Sequence, residues 1–259
     1  MIGAAGLGGI AGWRLLQRTG DQQREMMSRL PQVQREQQAF AARMASKPTA
    51  EELVADYRSL KVALTAFGLE ADLGNRAFMR KVLESDLSDA NSLANRLADK
   101  RYASLAEAFG FGDVVPVSSS VVSAEVSARY LEREFERRVG ETDGTLRLAL
   151  YANRELAAMA SRSSSDATKW YEILGSPPLA QVVRGALALP ASLARAPIDT
   201  QVTAMQDAAS RSLGLDGVGD LADPTKLARL LDRFVLRASA EATAPTAYSG
   251  ALALLRGLA

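Results

Sequence analysis

The chain has 259 residues, of which 47% are hydrophobic and 24% are charged, a balance typical of a globular protein that can bury a substantial core. Its 31 basic and 30 acidic side chains leave a net charge of +1, which provides no overall field to attract nucleic acid or an anionic membrane. Cysteine and histidine are both absent, which excludes disulfides, thiolate chemistry, imidazole catalysis and the usual zinc sites. No run reaches the roughly 18 apolar residues of a membrane-spanning helix.

Residues 1–12 are rich in glycine, and we predict a flexible leader here. These glycines cannot be aligned to the G-x-G-x-x-G spacing of a dinucleotide-binding loop, and no strand precedes them. The segment also lacks the positively charged start of a signal peptide.

An apolar stripe follows, which together with the leader forms a predicted N-terminal helical arm over 1–46. Its members recur at steps of three and four, as on one side of a helix, and Pro31 divides the stripe between two helices. The stripe either packs on the rest of the protein or provides a surface for a partner helix. The candidate partner-binding residues are Trp13, Met26, Leu30, Val33, Phe40 and Met44.

Residues 47–113 form a segment for which four short helices are predicted. Thr49 and Glu52 have the spacing of a capping box, from which one helix is predicted to run to Phe67. The other three are predicted at 77–83, at 88–97 with Ser88 as N-cap, and at 102–109.

The phrase Ala-Phe-Gly occurs twice in this segment, and each time the glycine follows an apolar helical pattern. Residues other than glycine cost roughly 1–2 kcal/mol in the left-handed conformation of a helix C-cap, so we predict Gly68 and Gly110 as caps. Asp72 and Asp113 stand where they could cap the helix that follows each stop. A grip for a ligand or partner is the alternative interpretation of the repeated phrase.

The second half of the chain is predicted as a C-terminal helical segment over 114–243 that packs on the first, beginning with a linker, and as an apolar tail over 244–259. Gly214 is predicted to end one helix, and Asp223 to cap the next. Strand patterns of period two are absent. The sequence therefore predicts an all-α, multihelical array of short helices joined by turns that end at glycine or proline.

Motifs of familiar catalytic sites are missing from the sequence. There is no Ser-x-x-Lys arrangement, no G-x-S-x-G elbow and no Walker loop. Acidic pairs occur at Glu51/Glu52 and Glu134/Glu136, on charged helical faces where a solvated structural role is expected. We therefore predict a protein that is not an enzyme and needs no cofactor or metal. The enzyme alternative requires a cleft that contains a carboxylate with a shifted pKa.

Several motifs carry a resemblance to a known family. They are GWR at 12–14, LQRT at 16–19, AFG at 66–68, NRAF at 75–78, NRLADKRY at 95–102, AFGFGD at 108–113 and DLADP at 220–224. In these the chain resembles a bacterial family of unassigned function, whose fold is all-helical and whose genes are often found among flagellar genes. The family has no agreed activity, so the resemblance carries over no catalytic residue.

The resemblance implies a role in motility or flagellar assembly. Combined with the helical pattern, it leads us to expect contacts with other proteins, in particular flagellar components, and none with nucleic acid. Two versions remain open. The protein is either an accessory component placed in or exported through the flagellar apparatus, or a cytosolic assembly regulator or chaperone-like adaptor.

Overall fold

A computed structural model describes residues 8–112 and 118–243, and it confirms the all-α fold. Within these residues there are thirteen α-helices, three short 3-10 helices and no β-strand. The α-helices are α1 (Gly9–Ser28), α2 (Pro31–Ala45), α3 (Ala50–Ala55), α4 (Tyr57–Phe67), α5 (Arg76–Leu83), α6 (Leu93–Arg96), α7 (Arg101–Phe109), α8 (Ser119–Gly140), α9 (Gly144–Ala160), α10 (Asp166–Gly175), α11 (Pro177–Ala186), α12 (Ile198–Leu213) and α13 (Pro224–Thr243). The 3-10 helices are Glu70–Asp72, Ala191–Arg195 and Val218–Ala222.

The chain divides into two compact units, and each division falls inside a long helix. The central unit is Gly20–Arg138, and the terminal unit combines the described residues 8–19 and 139–243. The divisions therefore lie within α1 and α8. The four segments predicted from the sequence stay a prediction.

The helix predicted to run from Thr49 to Phe67 is in fact two helices, α3 and α4. Its start is as expected, because Thr49 and Glu52 form the reciprocal bonds of a capping box. The interruption is at Asp56, whose carboxylate accepts hydrogen bonds from the Arg58 amide at 3.2 Å and the Ser59 hydroxyl at 2.6 Å. Asp56 thus caps a new helix where the apolar spacing suggested a continuous one.

Glycines end three of the helices in the left-handed conformation. The φ angles are 71° at Gly68 after α4, 60° at Gly110 after α7 and 63° at Gly214 after α12. The left-handed residue lets the backbone turn away from the helix axis while its amide still bonds the last turn.

Asp72 does not cap the next helix, which corrects the expectation for it. The N-cap of α5 is Asn75. Asp72 instead accepts a hydrogen bond from the Tyr102 hydroxyl at 2.7 Å and another from the Asn75 side chain at 2.9 Å. It therefore ties the turn after α4 to α7. The other predicted cap of this kind, Asp113, lies outside the described residues.

The prediction that a helix begins at Ser88 is also wrong. Ser88 lies in a turn, where its amide and hydroxyl bond the Asp86 carboxylate at 2.8 and 2.6 Å. The carboxylate satisfies the local backbone in a non-helical form, and the helix begins only after Ser92.

The terminal unit is built around α9, α11 and α13, which pack against one another. Leu230, Leu231 and Phe234 of α13 are buried in it. Phe234 lies so close to Gly185 of α11 that a Cβ there would be 3.0 Å from the ring. The helix begins at Pro224, and Asp223 accepts a hydrogen bond from the Thr225 amide at 2.8 Å, as an N-cap residue does.

Residues 9–12, predicted as part of a flexible leader, belong to α1. Asp143 caps α9 through the amides of Thr145 and Leu146, and its second oxygen accepts a hydrogen bond from the Gly9 amide at 3.3 Å. One carboxylate therefore serves the beginnings of two helices, where the helix dipoles favour negative charge. None of the helices that the structure describes is long and apolar enough to cross a membrane.

Candidate functional site

The candidate site is an apolar groove in the central unit, with a volume of about 870 Å³. It is formed where several helices begin or end, namely the C-terminal ends of α2 and α7 and the beginnings of α3 and α8. The lining contains apolar side chains and polar ones, namely Met44, Ala45, Phe109, Phe111 and Val122 together with Lys47, Thr49, Glu84, Ser118, Ser119 and Ser120. The volume is within the range of pockets that bind small ligands or the side chains of a partner.

Aromatic rings form the floor of the groove. Phe109 is buried and packs edge-on against Phe40, with ring centroids 6.3 Å apart. Phe111 stacks on Phe109 at 5.5 Å and is only half-buried, so part of this ring faces the groove. Gly110 allows both rings to lie on the same floor, because its left-handed conformation reverses the chain between them.

Lys47 lies at the edge of the groove in an unusual backbone conformation. Its φ angle is 52°, in the left-handed region that lysine adopts at a cost of roughly 1–2 kcal/mol, and Pro48 follows it directly. The side chain is exposed, and its ammonium forms no hydrogen bond or ion pair with residues 8–112 and 118–243. Within the described residues, Lys47 therefore places an unpaired ammonium at the groove.

The acidic residue of the groove is already paired. Glu84, which follows α5, lies 3.4 Å from Nε of Arg80. Arg80 also lies 3.3 Å from Glu51, so one guanidinium serves two carboxylates. Glu84 therefore has an ion-pair partner within the protein, which it shares with Glu51.

A partly buried polar cluster holds α8 against α2 and α4 in the same unit. The Glu36 carboxylate accepts hydrogen bonds from the Tyr130 hydroxyl and from the Lys61 ammonium, the latter at 2.6 Å. Burial by itself would raise the pKa of Glu36, but the bonds from Lys61 and Tyr130 outweigh it and hold that pKa below its ordinary value. Burial, together with the bond to Glu36, raises the pKa of Tyr130. The cluster fixes α8, which supplies one wall of the groove.

Glu134 and Glu136 do not lie on a solvated face, as the sequence suggested, because both side chains are buried. Glu134 accepts hydrogen bonds from Arg137 at 2.8 Å and Arg138 at 2.7 Å. Burial opposes its ionisation, yet these two guanidinium groups hold the pKa of Glu134 below its ordinary value. The charge is compensated by its neighbours, as in a structural ion pair. Among residues 8–112 and 118–243, no three acidic side chains converge in a way that could hold a metal ion.

The central part of the chain matches a known protein family. Residues 66–227 match the family described as Protein of unknown function (DUF1217). The chain belongs to this family. The matched range includes the floor residues Phe109 and Phe111 of the groove, whereas Met44 and Lys47 precede it.

A crystal structure of a protein from Agrobacterium tumefaciens, determined as a structural genomics target, is similar to this DUF1217 protein. The two chains are 29% identical, with a TM-score of 0.71 over 88% of this chain and 91% of the other. No match is found among curated proteins.

Most of the residues singled out in the N-terminal arm of this DUF1217 chain are interior. Trp13, Val33, Phe40 and Met44 are at most 3% exposed. Met26 is 49% exposed and Leu30 is half-buried, while Met27, which is not in the stripe, is fully buried. These residues therefore do not form one surface, although Met44 contributes to the groove and Phe40 supports its floor.

The sequence alone does not locate the groove, because a helix stop explains the repeated Ala-Phe-Gly phrase and a grip for a ligand or partner is only the alternative interpretation. One signal was present: Phe111 follows the stop, where a polar turn residue would be expected. An aromatic ring placed after a C-cap must pack somewhere, and here it lies on Phe109.

Proposed function

We propose that this protein is non-catalytic and acts by protein–protein contact in flagellar assembly or structure, with the groove of the central unit as its binding surface. The observation that carries the proposal is the half-buried Phe111 ring on the fixed floor of an apolar groove. Aromatic and methionine side chains in such places are typical anchors of protein interfaces.

The rigidity of the floor supports a binding role. Phe109 is fixed between Phe40 and Phe111, so little conformational freedom is lost when a partner side chain packs on these rings. The Glu36, Lys61 and Tyr130 cluster likewise holds α8 in place before any partner arrives. A preformed apolar surface of this kind suits a peptide or helix from another protein.

The flagellar context is proposed from the motif resemblance alone. Four of the motifs, at 66–68, 75–78, 95–102 and 108–113, belong to the central unit that contains the groove. We therefore expect the partners to be flagellar components. The protein would either be placed in or exported through the flagellar apparatus, or act in the cytosol as an assembly regulator or chaperone-like adaptor.

The pKa shifts of the carboxylates favour a binding role over acid–base catalysis. Those with a shifted pKa in the described ranges are Glu36, Asp86, Asp99, Glu134 and Asp220, and in each the pKa is lowered by hydrogen bonds from the protein itself. A general acid or base working near neutral pH needs the opposite shift. None of these five lines the groove.

The proposal is tested by capture from motile cells. Tagged full-length protein, crosslinked and purified, should bring down flagellar components identified by mass spectrometry. Ala45→Arg fills the groove from an exposed position and should reduce this recovery, whereas Ala42→Arg, exposed on the same helix but outside the lining, should not. Equal recovery with both variants would mean that the groove is not the binding surface, and recovery of no flagellar component would contradict the flagellar role.

Fractionation separates the two versions of this function. Recovery of the protein from sheared filaments or the culture medium supports a placed or exported component. Recovery only from the cytosol, bound to a flagellar subunit, supports an assembly regulator or adaptor.

A further inference from the structure

We propose that the groove binds an apolar peptide segment that carries a carboxylate, and that this carboxylate pairs with the ammonium of Lys47. The inference rests on the proposed function, because it names the chemistry of the partner at the same groove. It follows from two observations that are independent of each other, the aromatic floor and the Lys47 ammonium at the edge, which has no partner among the described residues.

The floor selects the apolar part of the partner. Phe111 is half-buried on the stacked ring of Phe109, and the buried Met44 side chain also belongs to the lining. Thioether and aromatic groups adapt to side chains of several shapes, so leucine, methionine or phenylalanine would each gain by burial there. The apolar residue would supply most of the affinity.

The edge selects the charge of the partner. Glu84 is paired with Arg80, while the ammonium of Lys47 has no partner in the described part of the chain. In the described lining, the Lys47 ammonium is therefore the charged group that is left to pair with a partner. A carboxylate on the bound segment would be attracted, and a basic side chain would be repelled.

The backbone places this lysine with little freedom. The amide of Lys47 bonds the Met44 carbonyl at 3.0 Å, and the ring of Pro48 fixes the next φ angle. The left-handed conformation of Lys47 also has a cost that glycine or asparagine would avoid at this position. The presence of lysine at this strained position is explained if its positive charge binds a partner at the groove.

Selection from random linear peptides displayed on phage tests the proposal with the full-length protein as target. We expect the selected peptides to combine apolar residues with aspartate or glutamate, and to lose binding to Ala45→Arg but not to Ala42→Arg. For one such peptide, replacing the acidic residue by its amide should weaken binding to the wild type about two- to five-fold, the effect of a partly exposed ion pair. The same replacement should have no effect on binding to Lys47→Gln.

Lys100→Gln is the matched control, since Lys100 is an exposed lysine of the same unit that does not line the groove. Binding to this variant should still depend on the acidic residue. Glutamine at position 47 would have the same left-handed backbone strain as lysine, so we do not expect Lys47→Gln to change the fold of the protein.

The remaining outcomes overturn the inference in distinguishable ways. Peptides that bind in the groove without acidic enrichment, or whose amide form is weakened equally on the wild type and Lys47→Gln, would refute the pairing and leave groove binding intact. A selection in which no peptide is blocked by Ala45→Arg would refute both the pairing and the groove as a binding surface.

Discussion

The indole of Trp13 donates a hydrogen bond to the Asp232 carboxylate at 2.8 Å, although the two residues are 219 positions apart. Trp13 belongs to α1 and Asp232 to α13, and Trp13 is 2% exposed. The bond therefore closes the terminal unit by joining its first helix to its last. It also explains how a tryptophan near the beginning of the chain can be buried with its N–H satisfied.

Replacing Trp13 by phenylalanine should lower the free energy of unfolding by about 1–3 kcal/mol, because a hydrogen bond to a charged acceptor and part of a buried ring are lost. Trp170 lies in the same unit and remains as a fluorescent reporter during urea unfolding. Gln17→Ala is the control, since Gln17 is a second, longer donor to Asp232 at 3.4 Å and is exposed. It should cost less than about 0.5 kcal/mol, and an equal loss in both variants would argue against the indole bond.

Alanine at the glycine caps should separate backbone strain from steric contact. At Gly214 a Cβ would have open space, so Gly214→Ala should cost about 1–2 kcal/mol from the left-handed φ alone. Gly68→Ala should cost at least as much, because a Cβ there would also approach Arg133 Nη1 at 3.2 Å. Gly74 has neither constraint, and Gly74→Ala should be neutral or stabilising by up to about 1 kcal/mol. Thermal and urea unfolding would measure all three, and equal stabilities would contradict the cap assignment.

The Glu36 cluster should make the stability of the central unit depend on acid pH. Folding lowers the pKa of Glu36 below its ordinary 4.5, so the unfolded chain takes up a proton at a higher pH than the folded chain does. The stability from Glu36 is therefore complete above about pH 5 and is lost as the pH falls through the folded-state pKa.

Glu36→Gln should cost about 1.5–3 kcal/mol at pH 7, as expected for hydrogen bonds to a charged group, and should remove part of the loss seen on acidification. Urea unfolding followed by circular dichroism between pH 7 and pH 3 measures both effects. Glu25→Gln, which breaks an exposed pair with Arg29, should leave the pH profile unchanged. Parallel pH profiles for the wild type and Glu36→Gln would show that the cluster does not favour the ionised carboxylate.

Lys47→Gly should stabilise the central unit by about 1 kcal/mol, because glycine adopts the left-handed conformation without strain. Lys47→Ala should give no such gain, since alanine would have the same strained φ. The melting temperatures of the two variants provide the test. A gain with alanine as large as with glycine would mean that the lysine side chain, and not its backbone, is the unfavourable element.

The helical class could be predicted because it depends on local spacing, and the glycine C-caps and the Thr49 capping box because they depend on local chemistry. The division at Pro31 follows from a missing amide, and the conformation of Gly68 from the absence of a Cβ. The break at Asp56 was not predicted, because one aspartate within an apolar helical pattern can either face solvent or cap a new helix. The spacing of residues does not distinguish these outcomes.

The candidate site depends on long-range packing and could not be read from spacing. Its floor and its charged edge come from α7 and from the end of α2, which are far apart in sequence. The steps of three and four in the apolar stripe favour Met26 in α1, whereas Met27 is the residue buried. A shift of one residue rotates the assigned face by about 100°, which is enough to exchange surface and interior. The burial of Glu134 likewise requires Arg137 and Arg138 to pack beside it.

The hydrogen bond between α1 and α13 matters for the expression of the matched region 66–227 as a separate fragment. Such a fragment would end within the first turn of α13, so it would lack the helix that covers α9 and α11, together with Trp13. The apolar faces of those two helices would then be exposed to water, and we expect the fragment to aggregate into inclusion bodies. The boundaries of a sequence family and those of a self-sufficient folding unit are different things in this protein.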